Sequence, residues 1–177
     1  FRLADGSSAT LDTDSRLDVA FEEGARSVRL MKGRVRLSVA KQAVPLHIAA
    51  GQGATTANDA EVDLSVDEAG TVTAALRRGE AELRPDADSA RATAITLGQT
   101  LTYRRDGALQ LAGAPAADIP ATWPEGWAEY RSIRLDQLVA EANRYAVRPI
   151  IIDHSSIAAL NVSGRFHISQ TDQFADR

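Results

Sequence analysis

From Leu3 to Leu111 apolar residues alternate with polar ones, and glycine punctuates the pattern, which is the signature of half-buried strands joined by tight turns. The stretch SVRLMKGRVRLSV places Val28 and Leu30 on one face, then Gly33, then Val35, Leu37 and Val39 on one face. TAALRRGEAELRP repeats the form with Leu76, Gly79, Ala81 and Leu83, and AITLGQTLTY repeats it around Gly98. Further strands are expected at Leu17 to Phe21, Leu46 to Ala50, Glu61 to Val66 and Gly107 to Leu111, with hairpin-type turns at Asp5-Gly6 and Asp106-Gly107. The pattern predicts a mainly β fold, with an all-β domain over residues 1–111. The recurring strand–glycine–strand form is too irregular for a solenoid of fixed period.

The period then changes. Residues 112–122 are rich in Ala and Pro and read as a linker, and residues 123–177 form a second, α+β unit. Trp127 to Ile133 reads as a strand. Leu135, Leu138, Val139, Ala142, Tyr145 and Ala146 fall at helical spacing and predict a helix over 135–146, with Tyr145 on the inward stripe. Pro149 ends it, and IIID at 150–153 reads as a strand covered on both faces. In NVSGRFHI, Val162, Gly164, Phe166 and Ile168 point inward, while Ser163, Arg165 and His167 point outward. Thr171 and Asp172 are N-cap candidates for one more helix.

Composition narrows the function. The chain has 177 residues, net charge −4, no cysteine and 5% aromatic residues, so its core must be built from Ala, Val, Leu and Ile. Mixed charges provide no footprint for nucleic acid and no polybasic membrane patch. Apolar runs are too short to span a bilayer, and the chain reads as a piece whose targeting segments lie elsewhere. His47, His154 and His167 lie in separate segments without metal-ligand spacing. No glycine-rich phosphate loop precedes a helix, and no carboxylate pair sits in an apolar run. The residues therefore point to no enzyme, no cofactor and no metal, and leave binding as the task.

RSVRLMKGRVRLSV, then PLHIAAGQG from Pro45, then VTAALRRGEAEL, then TWPEGWAEY, LDQLVAEANRY, IIID and NVSGRF together resemble the periplasmic part of the FecR family of anti-sigma regulators. The most specific element is the series Trp123, Gly126, Leu135, Asn143, Arg144 and Tyr145, ending in Gly164-Arg165-Phe166. Members usually carry a Gly-Thr-x-Phe turn and strand where this chain has Asp59 to Val62, DAEV. The second unit also resembles part of the short N-terminal domain of secretins and TonB-dependent transporters, which implies a truncated βαβ-type docking domain over residues 123–177.

The resemblance implies a single-pass inner-membrane protein whose periplasmic region senses the N-terminal signalling domain of a TonB-dependent siderophore transporter. It also implies control of an extracytoplasmic-function sigma factor through a cytoplasmic region. The alternative is a carbohydrate- or envelope-binding β module with an appended docking domain. For protein docking the expected contact residues are Ser163, Arg165 and His167, with Trp127 and Glu141 marking the next candidate surfaces. Outward polar side chains on an exposed strand are suited to strand addition by a partner.

Overall fold

The computed structural model describes residues 1–86, 90–104, 107–111 and 122–168. Asp106, all of the expected linker except Thr122, and the expected N-caps Thr171 and Asp172 lie outside the described residues. The chain divides into two compact units, Phe1–Ala112 and Gly113–Arg177.

The first unit is built from β1 (Ser8–Leu11), β2 (Arg16–Glu22), β3 (Ala25–Val39), β4 (Leu46–Ala50), β5 (Gly53–Val66), β6 (Val72–Arg84), β7 (Thr93–Ile95), β8 (Thr100–Tyr103) and β9 (Leu109–Leu111). Three of these strands are long, and each serves two layers. The first half of β3 pairs with β2 and β4, and its second half pairs with β1 and β5. Strand β5 pairs with β4 before Asp59 and with β3 after it, while β6 follows β5 along both halves. One layer therefore runs β2-β3-β4-β5-β6-β7, and the other β1-β3-β5-β6-β8-β9. All neighbours are antiparallel except β3 and β4.

The corners explain the glycine punctuation. Positions of β3 in the hydrophobic core are Val28 and Leu30 before Gly33, and Val35, Leu37 and Val39 after it. In β6 they are Val72, Ala74 and Leu76 before Gly79, and Ala81 and Leu83 after it. The inward parity changes at each glycine. An extra residue at a bulge does this, and it lets one strand turn from one packed layer into the other. The strand–glycine–strand forms around Gly33 and Gly79 are thus each a single bent strand, whereas Gly98 lies in a turn between β7 and β8. The inward faces of both layers share one core of Val, Leu, Ile and Ala side chains. Tyr103 of β8 crosses that core and donates its hydroxyl to the Ala50 carbonyl of β4 at 2.7 Å.

At the β5–β6 corner Asp59 adopts a backbone that few residues other than glycine accept. Its φ is 47°, in the left-handed region, and the β5–β6 register shifts between Asn58 and Glu61. Glycine takes that conformation freely, and aspartate is among the few other residues that tolerate it. Opposite it, Gly79 has φ 78°, and a Cβ there would lie 2.3 Å from the Asp59 carbonyl oxygen.

The second unit holds a 3-10 turn at Trp123–Glu125, then β10 (Trp127–Arg134), α1 (Leu135–Asn143), α2 (Ser155–Ala158) and β11 (Asn161–His167). Strands β10 and β11 pair antiparallel. Among the described residues this unit shows no parallel strand pair of the kind a βαβ unit contains. The helix stops at Asn143, earlier than 146, and Tyr145 sits in the following turn, half-buried rather than in the core. Residues 150–153 form no strand. The Asn143 amide takes the place of a neighbouring strand there: it donates to the Ile150 carbonyl at 3.0 Å and accepts from the Ile150 N–H at 2.7 Å. Ile151 is 77% exposed, so the expected two-sided cover is absent.

Candidate partner-docking face

The outward face of the β10–β11 ribbon gathers most of the residues expected to make contact. Its inward face is fixed by apolar side chains: Ala128, Tyr130 and Ile133 of β10 pack with Leu138 of α1, and Val162, Phe166 and Ile168 close over them. Side chains alternate across a strand, so Trp127, Glu129 and Arg131 project to the other side, with Ser163, Arg165 and His167 beside them. Trp127 stands opposite His167 in the register, and Glu129 stands opposite Arg165.

Three of these side chains form a stack. The Arg165 guanidinium carbon lies 4.4 Å from the centroid of the Trp127 ring. The His167 ring meets the same indole edge-on, with centroids 4.8 Å apart and planes 80° from parallel. A guanidinium over an indole is attracted by the ring's negative face and loses rotamer freedom before any partner arrives. Arg165 stays exposed, so its donors face solvent in a fixed orientation. A planar fork of donors held in this way matches a carboxylate.

Ser163 has a different task. Its Oγ accepts the Ser132 N–H at 2.8 Å, across from the bulge where Ser132 takes φ 60° and the register shifts between Tyr130 and Ile133. The hydroxyl thereby satisfies a donor that the bulge removes from the ladder. Glu141 does not join the cluster: it lies on α1, which packs against the opposite face of the ribbon. At the start of that helix Arg134 grips Asp136 through two hydrogen bonds of 3.1 and 2.6 Å, and this contact holds the Asp136 carboxyl below its ordinary value.

Glu129 and Arg131 belong to the face although the sequence reading did not include them. Their signal was the alternation Trp127, Glu129, Arg131; the missing information was which strand lies beside β10. Among the described residues no group of three or more His, Cys, Asp or Glu side chains could hold a metal ion. No helix among them is long and apolar enough to cross a membrane.

Residues 1–82 match the family model described as FecR protein, so the resemblance read from the sequence holds over that part of the chain. No curated protein matches the chain. Among solved structures, it is similar to a "putative anti-sigma factor" from Parabacteroides distasonis ATCC 8503, with a TM-score of 0.78 and 14% identity over 99% of this chain and 83% of that one. A second crystal structure with the same description and source, covering the same shares of the two chains, gives a TM-score of 0.76 and 13% identity. At such identity the likeness establishes the fold, including the mainly β architecture.

Proposed function

We propose that this chain, FecR-like over residues 1–82, is the signal-receiving region of an anti-sigma regulator and that the β10–β11 face is where it receives the signal. The family match and the description attached to the similar solved structures support the regulatory role. The finer reading is that the region is periplasmic and belongs to a membrane-anchored protein. Its partner is the N-terminal signalling domain of a TonB-dependent transporter, and its output is an extracytoplasmic-function sigma factor. The domain assignment is 1–111 for the β sandwich, 112–122 for a linker and 123–177 for the docking unit.

The observation that carries the docking proposal is the stack of Arg165 on Trp127. In a solvated, purely structural face an arginine of this kind gains little by being held still. As a contact it offers a preoriented cation flanked by an aromatic surface, a combination enriched where interfaces concentrate their energy. A partner that also pairs its main chain with the ribbon would add affinity to these side-chain contacts. Arg165 then pairs with a carboxylate on that partner.

The test is Arg165→Glu combined with Trp127→Ala, measured by calorimetric titration with the signalling domain of the cognate transporter. Both side chains are outside the core, so the thermal midpoint should hold. Affinity should fall by about tenfold to a hundredfold, as for loss of a charged contact and its aromatic support. Unchanged affinity in a normally folded double variant moves the docking site elsewhere. Binding to envelope glycans, with none to the signalling domain, would favour the carbohydrate reading.

A further inference from the structure

The longest free strand edge of the first unit is β2, Arg16–Glu22 (RLDVAFE), which pairs only with β3 among the described residues. Its side chains confirm that the edge is open: Val19 is 47% exposed, although it shares a face with Leu17 and Phe21, which pack against the core. Proteins ordinarily blunt such an edge with lysine, proline or a bulge in the strand. Strand β2 has no lysine and no proline, its register runs without interruption from Leu17 to Glu22, and its charged residues Arg16, Asp18 and Glu22 all alternate onto the face opposite Val19.

The hairpin fixes which backbone groups are free. Glu22 pairs with Ala25 across a two-residue turn, so Glu22, Ala20 and Asp18 are the residues bonded to β3. The N–H and C=O groups of Leu17, Val19 and Phe21 therefore point away from the sheet.

We propose that β2 is a self-complementary edge and that the chain forms a two-fold dimer by antiparallel pairing of β2 with β2 of a second copy, centred on Val19. In that register Val19 faces Val19, and Leu17 faces Phe21 of the second copy, each through a hydrogen-bonded pair. The apolar strip that one copy leaves open becomes continuous. On the opposite face, Arg16 of each copy meets Glu22 of the other. The charges select this register. A shift of the centre to Ala20 sets Asp18 against Glu22, and a shift to Asp18 sets Asp18 against Asp18 of the second copy. An interface in which each patch meets its own copy is the usual form of a symmetric dimer. In the monomer Arg16 lies 3.2 Å from Asp18, an exposed contact of little strength, so its exchange for Glu22 of the second copy costs little.

Sedimentation velocity over a concentration series tests the proposal. The 177-residue chain should move from monomer toward twice the monomer mass as concentration rises. Arg16→Glu and Glu22→Arg should each weaken the dimer by about tenfold or more, because each puts like charges opposite at two symmetric places. The double variant should restore it, and so should an equimolar mixture of the two single variants, which brings opposite charges together at both places. Val19→Pro, which removes an edge N–H that β3 does not use, should give a folded monomer, verified by circular dichroism. A chain that stays monomeric at every concentration overturns the proposal. So does a dimer that the charge reversals leave unchanged.

Discussion

Asp59 holds a left-handed backbone at a strand corner, where a single side chain decides how much strain the fold carries. The left-handed backbone at this corner is set by the β5–β6 register and by the close approach of Gly79 to the Asp59 carbonyl. Aspartate bears a modest conformational strain there, and its exposed 3.0 Å ion pair with Arg78 offsets little of it. Asp59→Gly should therefore leave stability within about 1 kcal/mol of the parent, since relief of strain competes with glycine's greater chain entropy. Asp59→Val should cost about 2 kcal/mol, because a β-branched side chain is a true outlier at positive φ. Gly79→Ala should cost about 2 to 4 kcal/mol, since its Cβ meets backbone rather than a movable side chain. Urea denaturation of the three variants gives the order; equal effects at both corner positions would show that the corner can relax.

At the scale of elements, alternation made the strands legible and glycine misled about where they end. Gly33 and Gly79 look like turns in a one-dimensional pattern, but both lie inside continuous strands of 15 and 13 residues. The clue was the change of parity across Gly33 and Gly79, which one extra residue in a continuous strand produces. In the second unit the outward set Ser163, Arg165 and His167 was legible from alternation alone, since β11 has no bulge. The Arg165–Trp127 stack was not, because cross-strand register depends on a bulge at Ser132 that no local pattern announces. Ile150 to Asp153 misled for a related reason. Three isoleucines favour a strand, but Asn143 already supplies both hydrogen bonds that a neighbouring strand would give Ile150. Asn143→Ala should cost about 1 to 3 kcal/mol by leaving two partly buried backbone groups unpaired, whereas Asn143→Asp, which keeps the acceptor, should lose less. If thermal melts show no loss for alanine, the Ile150 segment is held by something other than this clamp.

Across the whole molecule, burial is unequal, and the inequality bears on function. The core of the first unit runs from Ala9 to Tyr103 and takes buried residues from both layers, including Leu37, Leu46, Ile48, Leu64 and Leu83. Among the described residues the second unit gathers a smaller cluster around Ala128, Tyr130, Ile133 and Leu138. It also leaves Val147, Ile151, Ile157 and Leu160 largely exposed. Fully buried leucines and isoleucines each contribute about 1.5 to 3 kcal/mol, so the stabilities of the two cores differ well beyond the uncertainty of such figures. Local opening draws on the region with few buried contacts. Amides of Val35, Leu37, Val62 and Leu64 should therefore exchange slowest, close to the limit set by global unfolding. Those of Tyr130, Ile133 and Phe166 should exchange about a hundredfold faster or more under the same conditions. A partner strand on β11 would bury more of this unit and slow its amides selectively, leaving β3 and β5 unchanged. Hydrogen exchange by mass spectrometry, with and without the signalling domain, reads both effects in one experiment. Equal protection of the two units in the free chain would show that the small cluster is not what limits the second unit. Slowing that appeared first in β3 and β5 would place the contact on the sandwich and not on the ribbon.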